Sequence, residues 1–432
     1  MSILSQPLAL PCGAVLPNRI VKAAMSEQLA GEDNNSTRRL DALYRRWSEG
    51  GAGLLLSGNV MVDGRHLENP INVLIDGVVD RAALKSLARA GTVAGNHFWL
   101  QISHTGRQTS AMVNPQPLAP SAVKVELGDY FGMPRAMTED EIHDVIARFA
   151  YTAKVARETG FTGVQVHGAH GYLISQFLSP RTNRREDRWG GSLENRARLL
   201  LEILRAIRSA VGAEFPVGLK LNSADFQKGG FSAEECMRVV QWLNDESVDL
   251  LEISGGNFEQ MSMFGSEGEA GSAAPVKDST RRREAYFLDY AARVREVCRI
   301  PLMVTGGFRT RRAMEEALQA KLVDAVGIGR PLCIEPDLPA RLMSGAAERA
   351  LDYQQLLQSQ LGEMDGATYD SVLMESMWFA FQILRMADGH APDLAAHMNH
   401  SAKVYVDYRD RAWAAWKGPR HEPLPATDYL PA

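Results

Sequence analysis

Cysteine is scarce in this chain: four residues in 432, namely Cys12, Cys236, Cys298 and Cys333, all far apart. No two of them form a CxxC pair, a zinc knuckle or a cluster-binding run, which excludes a disulfide-stapled scaffold and points to a reducing, cytoplasmic setting. No apolar run approaches the ~20 residues needed to span a bilayer, so no membrane partner is expected. The stretch from Met1 to Pro17 has no basic leader and is cut by Pro7 and Pro11, which argues against a signal peptide. Nor is there an excess of charge: 47 Lys and Arg against 52 Asp and Glu leave a formal net charge of −5. Nucleic acid therefore has no electrostatic footprint here, and the one basic run, Arg281-Arg282-Arg283, reads as a solvated loop. A G-x-G-x-x-G after a strand is also absent, so a nicotinamide cofactor has no Rossmann domain of its own.

What is present is a repeated pattern in an ordinary globular composition, 45% hydrophobic and 23% charged. Short β-branched runs at residues 19–25, 52–57, 98–103, 163–167, 216–222, 249–254, 301–305 and 324–329 alternate with segments of helical period. The helices are expected over 37–49, 80–95, 138–159, 192–210, 232–245, 283–298, 310–320 and 337–343. Thr138 with Glu141 and Ser232 with Glu235 read as capping boxes, and Ser192 as a simple cap. Eight strand–helix units predict an α/β protein of the (β/α)8 TIM-barrel class, because an open doubly wound sheet usually stops at five or six strands and needs a switch point not visible here. Long loops are expected after strands 3, 4 and 6 (105–138, 169–191 and 257–282). The barrel is assigned to 1–347 and a helical extension to 348–432.

Barrel active sites lie at the C-terminal ends of the strands, which focuses attention on the fourth. It ends in His167-Gly-Ala-His170-Gly-Tyr172. Two imidazoles three residues apart on a glycine-containing turn can aim N–H groups at one oxygen, and a phenol two residues on can protonate a neighbouring carbon. The competing readings are structural histidines or a metal pair, the latter without a third ligand at a fixed spacing, so no metal site is assigned. Strands 7 and 8 end in Thr305-Gly306-Gly307-Phe308 and Gly327-Ile328-Gly329-Arg330. Glycine-rich ends with an arginine in these two units suit a phosphate.

The sequence resembles the Old Yellow Enzyme family of NADH:flavin oxidoreductases over about residues 5–345. The resemblance rests on Asn18-Arg19-Ile20-Val21 with Met25-Ser26, on Gln101-Ile-Ser-His104-Thr-Gly106-Arg107, on Gly160-Phe161 through Tyr172, on Ser179-Pro180, Asn183-Arg184 and Asp187, on Gly190 through Arg196, and on Gly329-Arg330. It implies FMN as cofactor and NADH or NADPH as reductant. The phosphate would lie at Gly306, Gly307, Gly329 and Arg330; Ala24, Met25 and Ser26 would line one flavin edge; Gln101 would meet the pyrimidine ring, with Asn59 nearby. Lys220 stands where the family often has an arginine, keeping the positive charge without the planar fork. His167 and His170 would bind the carbonyl or nitro oxygen of an electron-poor alkene, and Tyr172 would donate the proton. The same site could instead oxidise amines, as a dehydrogenase or demethylase, or bind flavin without catalysis. Larger relatives carry a cysteine cluster just beyond strand 8, where only Cys333 stands here. The extension, with Met374 to Leu384 strongly apolar and Trp413 and Trp416 nearby, is expected to pack on the barrel or to form a homo-oligomer interface.

Overall fold

The computed structural model describes residues 2–255, 288–353, 356, 357, 360 and 371–425. The long loop expected at 257–282, the Arg281-Arg282-Arg283 run and the first part of the helix expected at 283–298 lie outside the described residues. Eight parallel strands form the barrel: β1 (Ile20–Lys22), β2 (Leu54–Met61), β3 (His97–Ser103), β4 (Gly163–Gly168), β5 (Val217–Asn222), β6 (Leu250–Ser254), β7 (Leu302–Thr305) and β8 (Ala325–Ile328). Each pairs in parallel with the next, and β8 pairs with β1 through Gly327 and Val21, which closes the ring. Helices α1 (Arg38–Glu49), α2 (Arg81–Ala90), α3 (Glu139–Glu158), α4 (Leu193–Val211), α5 (Ala233–Leu243), α6 (Leu288–Arg295), α7 (Arg311–Gln319) and α8 (Leu338–Ser344) follow the strands in turn.

The helix starts follow capping chemistry. Thr138 and Glu141 bond reciprocally at the head of α3, as Ser232 and Glu235 do at α5, while Ser192 accepts from the Asn195 N–H at α4. Two boundaries differ most from the sequence reading. β2 runs on to Met61 because a register shift between Leu56 and Asn59 lets the strand re-pair with β3 beyond Gly58. The helix expected over 80–95 stops at Ala90, where Gly91 packs so close to Phe98 that a Cβ would lie 2.2 Å from its ring.

Side-chain alternation divides the barrel into two cores. Outward residues such as Phe98, Leu100, Val164, Val166, Leu219, Leu251 and Val304 join the helices in one large apolar cluster. Inward, the lower barrel is closed by Val21, Leu54, Leu56, Trp99, Leu250, Met303 and Ala325, with Leu8, Leu10 and Leu16 from the N-terminal hairpin beneath them. Trp99 is the bulky member of this layer. The neighbouring strands accommodate it with glycine: a Cβ on Gly163 would stand 2.5 Å from the indole nitrogen, and one on Gly218 2.9 Å from its ring.

Beyond the barrel, α9 (Ser371–Ala387) and α10 (Met398–Ala415) pack on each other and α9 packs on α1. Trp378 is fully buried between them and donates to the Ala396 carbonyl at 3.0 Å. Arg39 of α1 forms a bidentate bond with Asp388, and Arg46 donates to the His390 carbonyl. The segment after α10 crosses the loops that follow β1 and β2: the Trp416 indole donates to Asn34, and the Arg420 and Pro423 carbonyls press on Gly64 and Gly77.

Gly163→Ala tests the interior packing. The added methyl overfills the Trp99 layer, and the urea unfolding midpoint should fall by an amount equivalent to about 1–3 kcal/mol. A midpoint equal to that of the parent protein would show that Trp99 has room to move.

Candidate active site

Two residues further along each strand, the inward layer turns polar. Trp99 gives way to Gln101, Gly163 to Gln165, Gly218 to Lys220 and Leu250 to Glu252. All four are buried, and they form a chain across the barrel. Gln101 Nε2 donates to Gln165 Oε1 at 2.7 Å, Gln165 Nε2 donates to Glu252 Oε2 at 2.8 Å, and Lys220 Nζ pairs with Glu252 Oε1 at 3.1 Å. Each group supplies what its neighbour lacks, so a layer that would be costly unpaired is held together by its own hydrogen bonds. The charge of Lys220 is thus fixed in place by a carboxylate on the adjacent strand.

One layer higher stands the β4 cluster. The His167 ring centroid lies 5.0 Å from that of His170 and 4.8 Å from that of Tyr172, both edge-on. His167 Nδ1 accepts from the Ala169 N–H, which leaves Nε2 to carry the proton of the neutral ring. His170 sits in the left-handed region at φ 60°, an uncommon conformation for a non-glycine residue that turns its ring back toward the barrel. Its backbone N–H is held by Asn222 Oδ1 at 3.1 Å, and its Nε2 lies 2.7 Å from Ser254 Oγ. Of the two imidazoles, His167 is therefore the one whose Nε2–H meets no partner among the described residues, while His170 already shares Nε2 with β6. Burial lowers both histidines well below the ordinary imidazole value, and the nearby Lys220 charge lowers them further. Both rings are neutral hydrogen-bonding groups near neutral pH.

Tyr172, 4% exposed, accepts from Asn59 Nδ2 at 3.3 Å, and the same amide donates to Glu68, so the phenol lies within reach of the Glu68 charge. Glu68 takes Ser26 Oγ at 2.8 Å and Asn59 Nδ2 at 3.0 Å, so the segment after β1, β2 itself and, through Asn59, the turn after β4 meet around one carboxylate. Met25 reaches the other side of the mouth, where its sulfur would be 3.9 Å from a Cβ on Gly329 and lies 3.6 Å from Cys333 Sγ. Ala24 packs on the lower apolar layer. Gly306 and Gly307 follow β7 with left-handed φ values of 110° and 83°. Arg330 opens a short 3-10 turn after β8 and forms an ion pair at 2.7 Å with Glu375 of α9, while Arg309 stacks over Tyr353, 4.8 Å from its ring centroid.

Sequence reasoning missed Gln165, Glu252, Glu68 and Glu375. The first two carried a signal, since each is an inward polar residue in an otherwise apolar strand, two positions before His167 and Ser254. Glu68 lies on an irregular loop and Glu375 on a helix of the extension, where nothing local marks them.

A second cluster lies behind the mouth, where Asp63 is surrounded by His66, His104 and His421 and bonded to Arg65 at 2.6 Å. Asp63, His66 and His104 have the proximity of metal ligands. Their hydrogen bonds assign them otherwise. His66 Nε2 accepts from the Leu118 N–H and His104 Nδ1 accepts from the Gly106 N–H. The ring nitrogens facing Asp63 therefore carry the protons, and the cluster is a carboxylate ringed by donors. Burial alone would raise Asp63, but His66, His104 and His421 hold it well below the usual carboxylate range.

Comparison with known proteins identifies the family and the fold. The profile of the NADH:flavin oxidoreductase / NADH oxidase family matches residues 4–349. The chain is 38% identical over 354 residues to the NADH-dependent flavin oxidoreductase iliE of Neonectria sp. strain DH2, covering 77% of this chain and 46% of that protein. It is 36% identical over 359 residues to the protein of the same name from Hypocrea jecorina strain QM6a, covering 78% of this chain and 88% of that one. The chain thus spans under half of one curated relative and most of another. Among solved structures, the Old Yellow Enzyme homologue of Zymomonas mobilis superposes with a TM-score of 0.67 at 25% identity, covering 80% of this chain and 94% of that one.

The buried imidazoles carry a pH signature. Burial drops His104 from 6.5 to about 3, and His167 and His170 are lowered in the same sense. As pH falls below 6.5, the unfolded chain takes up protons that the folded protein refuses. Stability is therefore full above that value and is lost progressively toward pH 3. Urea midpoints measured from about pH 7 down to about pH 4.5 should fall steadily; a flat profile would contradict the burial of neutral rings.

Proposed function

The chain belongs to the NADH:flavin oxidoreductase / NADH oxidase family, that of Old Yellow Enzyme, and works with FMN and NAD(P)H; on that premise we propose that it is an ene-reductase acting on small electron-poor alkenes, α,β-unsaturated carbonyl or nitro compounds. The observation that carries this reading is the packing of His167, His170 and Tyr172 against one another above a buried layer containing Lys220 and Gln101.

The residues present fit FMN. The Lys220 ammonium and the Gln101 amide supply positive charge and hydrogen bonds at the centre of the mouth. Asn59 Oδ1 and Thr305 Oγ1 are buried and have no hydrogen-bond partner among the described residues, so they are available to a bound ligand. The left-handed Gly306-Gly307 turn and the open space beside Gly329 allow close backbone approach of a phosphate, with Arg330 as its counter-charge. Ala24, Met25 and Ser26 would border the ring system.

Bound FMN supplies hydride, drawn from NAD(P)H. The protein's own contribution is to bind and polarise the alkene and to furnish a proton. His167 presents Nε2–H toward the mouth, and His170 stands beside it. Donors aimed at a carbonyl or nitro oxygen strengthen as negative charge develops there, and neutral rings can donate without bringing a proton that must be shed. Tyr172 then gives its phenolic proton to the α-carbon. Burial and the Glu68 charge raise its pKa well above the ordinary phenol value, so the group stays protonated until it reacts.

Tyr172→Phe separates binding from proton transfer. In anaerobic stopped-flow experiments the variant should lose reoxidation by cyclohexenone by about 10²–10⁴-fold relative to its reduction by NADH. Equal loss in both half-reactions would remove Tyr172 from the proton-donor role.

A further inference from the structure

Glu68 is among the most heavily bonded side chains of the mouth, taking bonds from Ser26, Asn59 and Asn72. It lies on the loop between β2 and the short strand Val73–Leu74. That loop is rigidly tied. The Asn69 N–H donates to Asn72 Oδ1, the Ile71 N–H donates to Asn69 Oδ1, and Asn34 Nδ2 donates to the Pro70 and Asn72 carbonyls. Thr105 Oγ1 reaches the His66 carbonyl two residues upstream of Glu68. Asn34 is itself held from the extension by the Trp416 indole at 3.0 Å. The carboxylate is thus fixed where Ser26, Asn59 and Asn72 converge on it, and the Asn59 amide that bonds it also bonds the Tyr172 oxygen.

The burial of the two partners differs. Tyr172 is enclosed, whereas Glu68 is half-buried and keeps a route to solvent. A phenol that gives up its proton in an enclosed site must recover one through a neighbour. We propose that Glu68 is the proton-returning residue of the site, carrying a proton from solvent to the Tyr172 oxygen in each turnover. The inference rests on the ene-reductase reading and deepens it. The Tyr172 O–H bond breaks as the α-carbon C–H bond forms, with hydride supplied by the reduced cofactor. The Glu68 carboxylate takes up a proton from solvent and passes it to the phenolate, which restores the O–H bond and returns Glu68 to its charged form. Glu68 acts through Tyr172 and is a positioning residue, while Asn59, which donates to both, holds the two oxygens in register.

Several groups face this pair. His167 stands edge-on to Tyr172, and Ser26, Asn59 and Asn72 bond Glu68. Tyr130, from the loop after β3, and Tyr405, from α10, feel the Glu68 charge, and Arg409 of α10 acts on both. Burial raises both of these phenols, with Glu68 adding to the rise and Arg409 opposing it.

The test uses the full-length FMN-loaded protein and two readouts. In stopped-flow mixing with cyclohexenone, Glu68→Gln should slow reoxidation relative to NADH reduction by about tenfold or more and alter its pH profile. Glu68→Asp, which keeps the acid, should restore part of the rate. Fluorotyrosine placed at position 172 is then titrated by fluorine NMR in the protein without substrate. Its midpoint should fall by about one unit or more when Glu68 becomes Gln, because a like charge has been removed. An unchanged ratio of half-reactions, or equal rates for the Gln and Asp variants, would overturn the relay. An unchanged midpoint would overturn the coupling on which it stands. If the parent protein reoxidises with no enone while the midpoint still shifts, the ene-reductase reading fails and the Glu68–Tyr172 pair survives it.

Discussion

The constraint on which the structure depends is the filling of a closed eight-stranded barrel. The ring cannot be left hollow, and its inward positions come from alternate residues of every strand. In the lower layer the space is taken by Trp99 and aliphatic side chains, with Gly163 and Gly218 yielding room to the indole. In the next layer the space is taken by polar groups that satisfy one another, Gln101, Gln165, Glu252 and Lys220. The change from apolar to polar within two residues is what makes one end of the barrel a packed floor and the other a site. A buried ammonium is tolerated only because a carboxylate stands in register on the adjacent strand, and that register follows from closing the ring.

From this floor the rest of the site follows by strand alternation. His167, Asn222 and Ser254 are the next inward positions on β4, β5 and β6. Asn222 and Ser254 are the groups that fix the backbone and ring of His170. The strained turn at His170 is thus held by two strands already committed to the polar layer. The extension completes the far side. Glu375 pairs with Arg330, the side chain expected to meet the cofactor phosphate, and Trp416 braces the loop that carries Glu68. An 85-residue segment that the strand pattern does not explain therefore touches two parts of the mouth.

Much of this was legible in the sequence. Eight β-branched runs, the Thr138–Glu141 and Ser232–Glu235 boxes and the His167-to-Tyr172 motif are local signals, and local signals survive without coordinates. Boundaries were less legible where tertiary packing decides them, as at Gly91 against Phe98 and at the shifted pairing after Leu56. The residues of the candidate site that could be named from sequence lay on strand ends. Glu68, Glu375 and the ring of donors around Asp63 depend on loops and helices distant in sequence coming together, and no spacing rule foretells that. His170 was read as an equal partner of His167, a symmetry that the bond to Ser254 breaks.

The central claim is that the polar floor and the β4 cluster together make an alkene reductase. Its most direct test is an anaerobic double-mixing experiment on the FMN-loaded protein, following flavin absorbance. NADH should bleach the flavin, and cyclohexenone should then restore its colour with formation of cyclohexanone. A flavin that NADH bleaches but that recovers only on admission of oxygen, with the enone unchanged, would contradict the account.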